Sequence, residues 1–248
     1  MIENDIRRWF PAAAHENPEL RIFCLPHGGG GAAAFRGWQN LAPPGTEIVP
    51  VALPGRERRS GEPLMRSIEA MSDALHDPLL KRADGHDFIL LGHSMGALLT
   101  YELSHALAAS GRPPMALVVS GSVPPRRCSV SCPLHRLSDE DFLGHIAALE
   151  GTPAGVMDDP ELREFLLPVL RADFEACEKY IRDERVLRTP MLIVGGSDDR
   201  QVPVDEIEQW AELTTAPAEV KVYSGGHFFL FENAPEVLGD VARFRPWA

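Results

Sequence analysis

The sequence predicts an α/β fold, a mostly parallel central sheet flanked by helices. Two observations carry this: short, β-rich apolar runs recur along the chain, and helical patterns separate several of them. Most runs are continuously apolar rather than alternating, as in strands covered on both faces.

In chain order, the strands are read at "LRIFCLP" (20–26), "EIVPVALP" (47–54), "DFILLGHS" (87–94), "MALVVSGS" (115–122), "MLIVGGSDD" (191–199) and "EVKVYSGGH" (219–227). Ile68, Met71, Leu75 and Leu79 mark a helix before the third run. Leu98, Leu99, Leu103 and Leu107 mark another after it, ending at Gly111.

Roughly seventy residues between the fourth and fifth runs carry no strand signal, too many for a plain loop. Ser138 with Asp141 three residues on reads as a helix start, followed by Phe142, Ile146 and Leu149 at helical spacing. Asp159 before Pro160 starts a second helix, with Leu162, Phe165, Leu166, Val169, Leu170, Cys177, Tyr180 and Ile181 on or near one face. Pro168 is expected to break or kink it. Residues 124–188 are therefore read as a helical cap (lid) inserted in a single 1–248 domain, with an elaborated crossover as the alternative. Pro168 and "EGTPAG" are candidate hinges.

Composition bounds the function. The chain has 248 residues, 44% hydrophobic and 24% charged, as an ordinary globular domain does. Its formal charge of −12 repels phosphate backbones, so nucleic acid is not an expected partner. Neither a signal-peptide core nor a membrane-length apolar run is present, and a cytoplasmic protein is expected. Four scattered cysteines do not make a disulfide framework. "CSVSCPLH", with Cys128, Cys132 and His135, lacks a second paired ligand set, so no metal is expected.

The chemistry centres on "GHSMG", Gly92 to Gly96, a G-x-S-x-G motif between a strand and a helix. Such a turn is sharp and strained, so its neighbours must be small, and it lifts the Ser94 hydroxyl above the sheet. Helix initiation leaves the Met95 N–H to bind an oxyanion. A serine needs a base, and the base needs a carboxylate, in the chain order Ser, Asp, His. His227 in "SGGHFFL" is the one histidine downstream of the late strands. "GGSDDRQVP" offers Asp198 and Asp199. Asp199 is favoured because it fits the G-x-x-D-x-x-V pattern of serine hydrolases of this fold. His93 is read as structural, since adjacent strand residues point apart. The glycines of "LPHGGGGAAAF" allow close backbone approach, with Gly28 N–H as second oxyanion donor and Gly29 as alternative. Nucleotide phosphate is not expected there, for want of a following Lys-Ser/Thr or the dinucleotide spacing.

Over nearly its whole length the sequence resembles the type II thioesterases, stand-alone α/β-hydrolases of polyketide and nonribosomal peptide synthesis. The resemblance rests on "GHSMGA", "LPHGGGG...FRGW", "LPGRERR", "LEGTPAGVMDDPEL", "LPVLRADFEACEKY" and "GGHFFL". It departs where Gly28 stands in place of the more usual alanine, and where Ser122 stands in place of a common basic residue. The resemblance implies an α/β-hydrolase fold and hydrolysis of acyl thioesters from the phosphopantetheine arm of acyl or peptidyl carrier proteins. It implies no cofactor of the enzyme's own, because the phosphopantetheine belongs to the substrate protein. Carrier domains tend to be acidic, so Arg56, Arg58, Arg59, Arg126 and Arg127 are candidates for docking, with solvated surface as the alternative. Phe142, Ile146, Phe165 and Val169 are candidates for an acyl chamber or for helix packing. An acyl-CoA or small-ester hydrolase, an acyltransferase and a non-catalytic ligand binder are the competing readings.

Overall fold

The computed structural model describes residues 2–12, 14–15, 17–125, 133–148, 160–181 and 185–244. Among the described residues the sheet has six strands: β1 (Leu20–Leu25), β2 (Thr46–Pro50), β3 (Phe88–His93), β4 (Ala116–Ser120), β5 (Met191–Gly196) and β6 (Ala218–Tyr223). All pairings are parallel, in the order β2-β1-β3-β4-β5-β6. The chain reverses direction across the sheet between β1 and β3, and a crevice at the C-terminal strand ends is expected at such a point.

Both faces are covered, which is why the strands read as continuous apolar runs. Because the pleat alternates, Phe23 and Leu25 of β1 enter one core, with α2 (Ile68–Ala83) and α3 (Met95–Ala109). Ile22 and Cys24 enter the other, with α8 (Ala234–Arg243). Leu90 of β3 is fully buried, and truncation to alanine would cost about 2–5 kcal/mol.

Four α-helices were not read from the sequence, α8 among them. The helix α1 (Ile2–Trp9) supplies Trp9 to the first core and accepts the Ala52 N–H at its end. The single turn α6 (Val204–Ile207) follows β5, and α7 (Phe229–Glu232) leads into α8.

Between β4 and β5, α4 (Asp139–Ala148) starts as expected: the Ser138 Oγ accepts the Asp141 N–H at 3.1 Å. The helix α5 (Pro160–Lys179) runs through Pro168 without the expected break. The cost of the proline, one missing intrahelical bond, is borne because the following half is anchored. There Val169, Ala172, Asp173, Ala176 and Tyr180 are buried, and Tyr180 donates to Glu102 of α3 at 2.7 Å. Earlier in the helix residues 161–165 are exposed, Phe165 by 52%, and Leu166 and Leu167 are half-buried. Asp159 and the "EGTPAG" hinge candidate lie outside the described residues.

Candidate active site

The loops that follow β1, β3, β5 and β6 converge at the C-terminal end of the sheet. Ser94 caps α3 with φ 55° and ψ −117°, a conformation that costs a non-glycine residue on the order of 1–3 kcal/mol. Its surroundings impose it: Ser94 N–H donates to Ser120 O at 2.8 Å, and Ala97 N–H to Ser94 O at 2.9 Å. A Cβ on Gly92 would lie 2.0 Å from Gly96 O, and one on Gly96 would lie 2.3 Å from Leu25 O. The flanking glycines thus let strand, turn and helix touch. Met95 opens α3, so its N–H has no intrahelical acceptor.

Asp199 and His227 meet directly. The His227 Nδ1–H donates to Asp199 Oδ2 at 2.8 Å, since an ionised carboxylate can only accept. The basic nitrogen is therefore Nε2. Asp199 is itself pinned, its Oδ1 accepting the N–H groups of Gln201 at 2.9 Å and Val202 at 3.1 Å. Both side chains are buried. Asp198 points elsewhere: its carboxylate accepts from Ser197 Oγ at 2.8 Å and is exposed.

Ser120 and Gly121 connect this pair to the serine turn. A Cβ on Gly121 would lie 2.6 Å from His93 Cε1 and 3.6 Å from His227 Cε1. His93 is fully buried, bonded through Nδ1 to Ser120 Oγ at 3.0 Å, and its ring centroid lies 5.1 Å from that of His227. His27, after β1, packs edge-on to Phe228 and Phe231. Burial, then electrostatic interaction with the neighbouring His227 imidazole, lowers His27 to about 4 and His93 well below the ordinary histidine range. Two neutral imidazoles thus lie beside the His227–Asp199 pair.

In the glycine loop, Gly29 N–H donates to Asp173 Oδ2 of α5 at 2.7 Å. That bond leaves Gly28 as the candidate oxyanion donor of the two. Gly29 has φ +77°, and a Cβ there would lie 2.5 Å from Leu170 Cδ2. At Gly28 a Cβ would meet Asp173 Cβ at an ordinary 3.6 Å. The alanine more usual at that position therefore fits.

Two of the docking arginines need correction. Arg56 is 4% exposed and bound to Asp173. Arg59 is 7% exposed, bonded to Glu62 and Ala52 O, and lies over the Trp9 ring. Both guanidiniums are buried and ion-paired, so neither is presented to a docking partner. Arg58 is exposed, whereas Arg126 and Arg127 lie outside the described residues.

Of the acyl-chamber candidates, Phe142, Ile146 and Val169 are buried in the cap, with Phe142 edge-on to Phe174, and Phe165 is on the surface. His135 bonds to Glu178 inside the cap, and Cys128 and Cys132 are not among the described residues. Ser122 is buried, and its carbonyl accepts the Trp210 indole N–H at 2.7 Å. Sequence reasoning missed the Arg56–Asp173 pair. No local pattern marks it, because its members are 117 residues apart.

A parallel sheet of this order, with a serine turn after β3 and an Asp–His pair after β5 and β6, defines an α/β-hydrolase. Within that class, the chain belongs to the thioesterase domain family, whose model matches residues 20–244. It is a hydrolase acting on thioesters. It is 35% identical over 241 residues to the gramicidin S biosynthesis protein GrsT of Aneurinibacillus migulanus, covering 95% of this chain and 93% of that protein. Among solved structures, RedJ, the thioesterase from the prodiginine pathway of Streptomyces coelicolor, is 34% identical with a TM-score of 0.85 over 96% of this chain and 98% of that one. BorB, a type II thioesterase from the borrelidin biosynthetic cluster, is 33% identical with a TM-score of 0.84, covering 95% and 96%.

Proposed function

We propose that this chain is a type II thioesterase that removes acyl groups from the phosphopantetheine arm of acyl or peptidyl carrier proteins by a Ser94–His227–Asp199 acyl-enzyme mechanism. The observation that carries the reading is the 2.8 Å bond from His227 to a doubly pinned Asp199, beside a strained serine turn. Asp199 fixes the tautomer, so Nε2 takes the Ser94 proton as Oγ attacks the thioester carbonyl. The N–H groups of Met95 and Gly28 bind the oxyanion, and the pantetheine thiol leaves with the proton from His227. Water, deprotonated by His227, then releases the acid and frees Ser94.

The buried Arg56 and Arg59 leave Arg58 as the exposed cation of that segment. It lines a groove of about 850 Å³ that starts where the glycine loop ends and holds five arginines, Arg7, Arg8, Arg36, Arg58 and Arg59, against two glutamates, Glu57 and Glu62, the latter paired with Arg8 and Arg59. On a chain of net charge −12, this local positive field suits an acidic carrier.

The test is a panel of acyl groups, each presented on carrier protein, on coenzyme A and as a simple ester, to the native enzyme and to Ser94→Ala. Faster turnover of the carrier-bound form, lost in Ser94→Ala, is the expected result. Equal or faster turnover of free esters would replace this reading with a general esterase.

A further inference from the structure

The cap helix α5 meets the glycine loop at a buried ion pair that the acyl-enzyme chemistry does not use. Asp173 is fully buried, and Arg56 holds both its oxygens, Nη1 to Oδ2 at 2.6 Å and Nη2 to Oδ1 at 2.7 Å. Each partner also holds the loop: Oδ2 accepts the Gly29 N–H at 2.7 Å, and Nη1 donates to Gly30 O at 3.0 Å. Between them the loop turns back on itself, Gly30 N–H donating to His27 O at 3.0 Å. A peptide's N–H and C=O point in opposite directions, so fixing His27 O also aims the Gly28 N–H. One turn earlier on α5, Leu170 closes over Gly29.

A buried ion pair is often no more stabilising than the apolar residues that could replace it. What the bidentate fork adds is direction, since it holds both planes in one register. Asp173 also lies on the cap, whereas Arg56 and the glycine loop belong to the sheet domain.

We infer that Asp173, held by Arg56, is a positioning residue that fixes the glycine loop with Gly28 N–H toward the cleft, so that the oxyanion hole is complete only when α5 is seated. This rests on the proposed role of Gly28 as oxyanion donor. The cap then gates the reaction by assembling a catalytic donor, apart from any part in enclosing the acyl chain.

The test uses the double variant Arg56→Met/Asp173→Leu in the full chain, because removing both charges leaves neither one buried alone. Its melting temperature should stay near native. Because loss of one oxyanion donor typically costs ~10² to 10³ in turnover, misaiming it should lower kcat by about tenfold to a hundredfold, with KM little changed. Affinity for an acyl trifluoromethyl ketone, which Ser94 converts to an oxyanion adduct, should fall by the same factor. Affinity for the unreactive acyl thioether should hold. If the double variant fails to fold, Asp173→Asn carries the same comparison of ketone and thioether. Native kcat in a folded variant, or a loss confined to KM, overturns the inference. Turnover surviving in Ser94→Ala would instead strike the acyl-enzyme reading, so the two failures are distinguishable.

Discussion

The two ends of the sheet each hold a buried carboxylate with three donors, and only one is paired with a group that can exchange a proton. At the N-terminal end, Glu47 accepts from Arg21 Nε at 2.8 Å, from the His15 N–H at 2.9 Å and from Arg82. Burial pushes that carboxyl up, but Arg82, the His15 N–H and Arg21 outweigh it and hold it below the ordinary range. At the C-terminal end, Asp199 accepts two backbone N–H groups and the His227 imidazole. Guanidiniums stay charged at any working pH, so the Glu47 network has one state. The imidazole bonds Asp199 through Nδ1 and keeps a second ring nitrogen, Nε2, that can accept a hydrogen bond, so the Asp199 network leaves one basic site open. Equal satisfaction of hydrogen bonds therefore says little about function, and the chemistry of the partner decides it.

Substitution should separate these ends. The largest kinetic effect is expected from Asp199→Asn: kcat falls by ~10³ to 10⁴ as the imidazole loses its tautomer preference, a range taken from serine proteases. Asp198→Asn, beside it, should leave steady-state kinetics near native, and a comparable loss there would move the orienting role to Asp198. Glu47→Gln should do the reverse of Asp199→Asn. Breaking that buried network costs about 3–5 kcal/mol in denaturant melts, while kcat of the folded fraction is unchanged.

Acidification provides a milder probe of the catalytic end. In the folded chain His27 binds a proton only near pH 4, and burial holds His93 well below the ordinary histidine range, whereas in the unfolded chain both do so near 6.5. Between those values the unfolded state holds more protons, so stability falls as pH drops from about 6.5 to about 4. The Glu47 carboxylate contributes only lower, below its ordinary 4.5. Thermal melts from pH 7.5 to 4.5 should therefore decline, and His27→Phe should flatten the slope. The smallest expected effect is at the surface: Arg58→Glu should raise KM for a carrier-bound thioester several-fold, leave the coenzyme A thioester unchanged, and do so less at high salt.

Much of the sheet end was legible because its requirements are local. Strands buried on both faces must be continuously apolar, and the serine turn must be flanked by small residues that the sequence displays as "GHSMG". Asp199 was legible through its three-residue spacing to Val202, the residue whose N–H it accepts. The helical segment between β4 and β5 was only partly legible. Pro168 suggested a break or a kink, and the helix runs through it without a break, its following half anchored by tertiary contacts. The arginines of "GRERR" looked alike, yet two are buried and one is exposed, a division set by Asp173 and Trp9 from distant segments. Helix α1 is short and polar in composition, and what fixes it is Trp9 in the core.

Covalent trapping tests the catalytic end most directly. On treatment with an alkyl fluorophosphonate, Ser94 Oγ should displace fluoride to give one adduct per chain, found by mass spectrometry on the peptide containing Ser94, with thioesterase activity lost in proportion to labelling. A fully labelled chain that still hydrolyses acyl thioesters, or an inactivating adduct on another residue, would contradict the assignment of Ser94 as nucleophile.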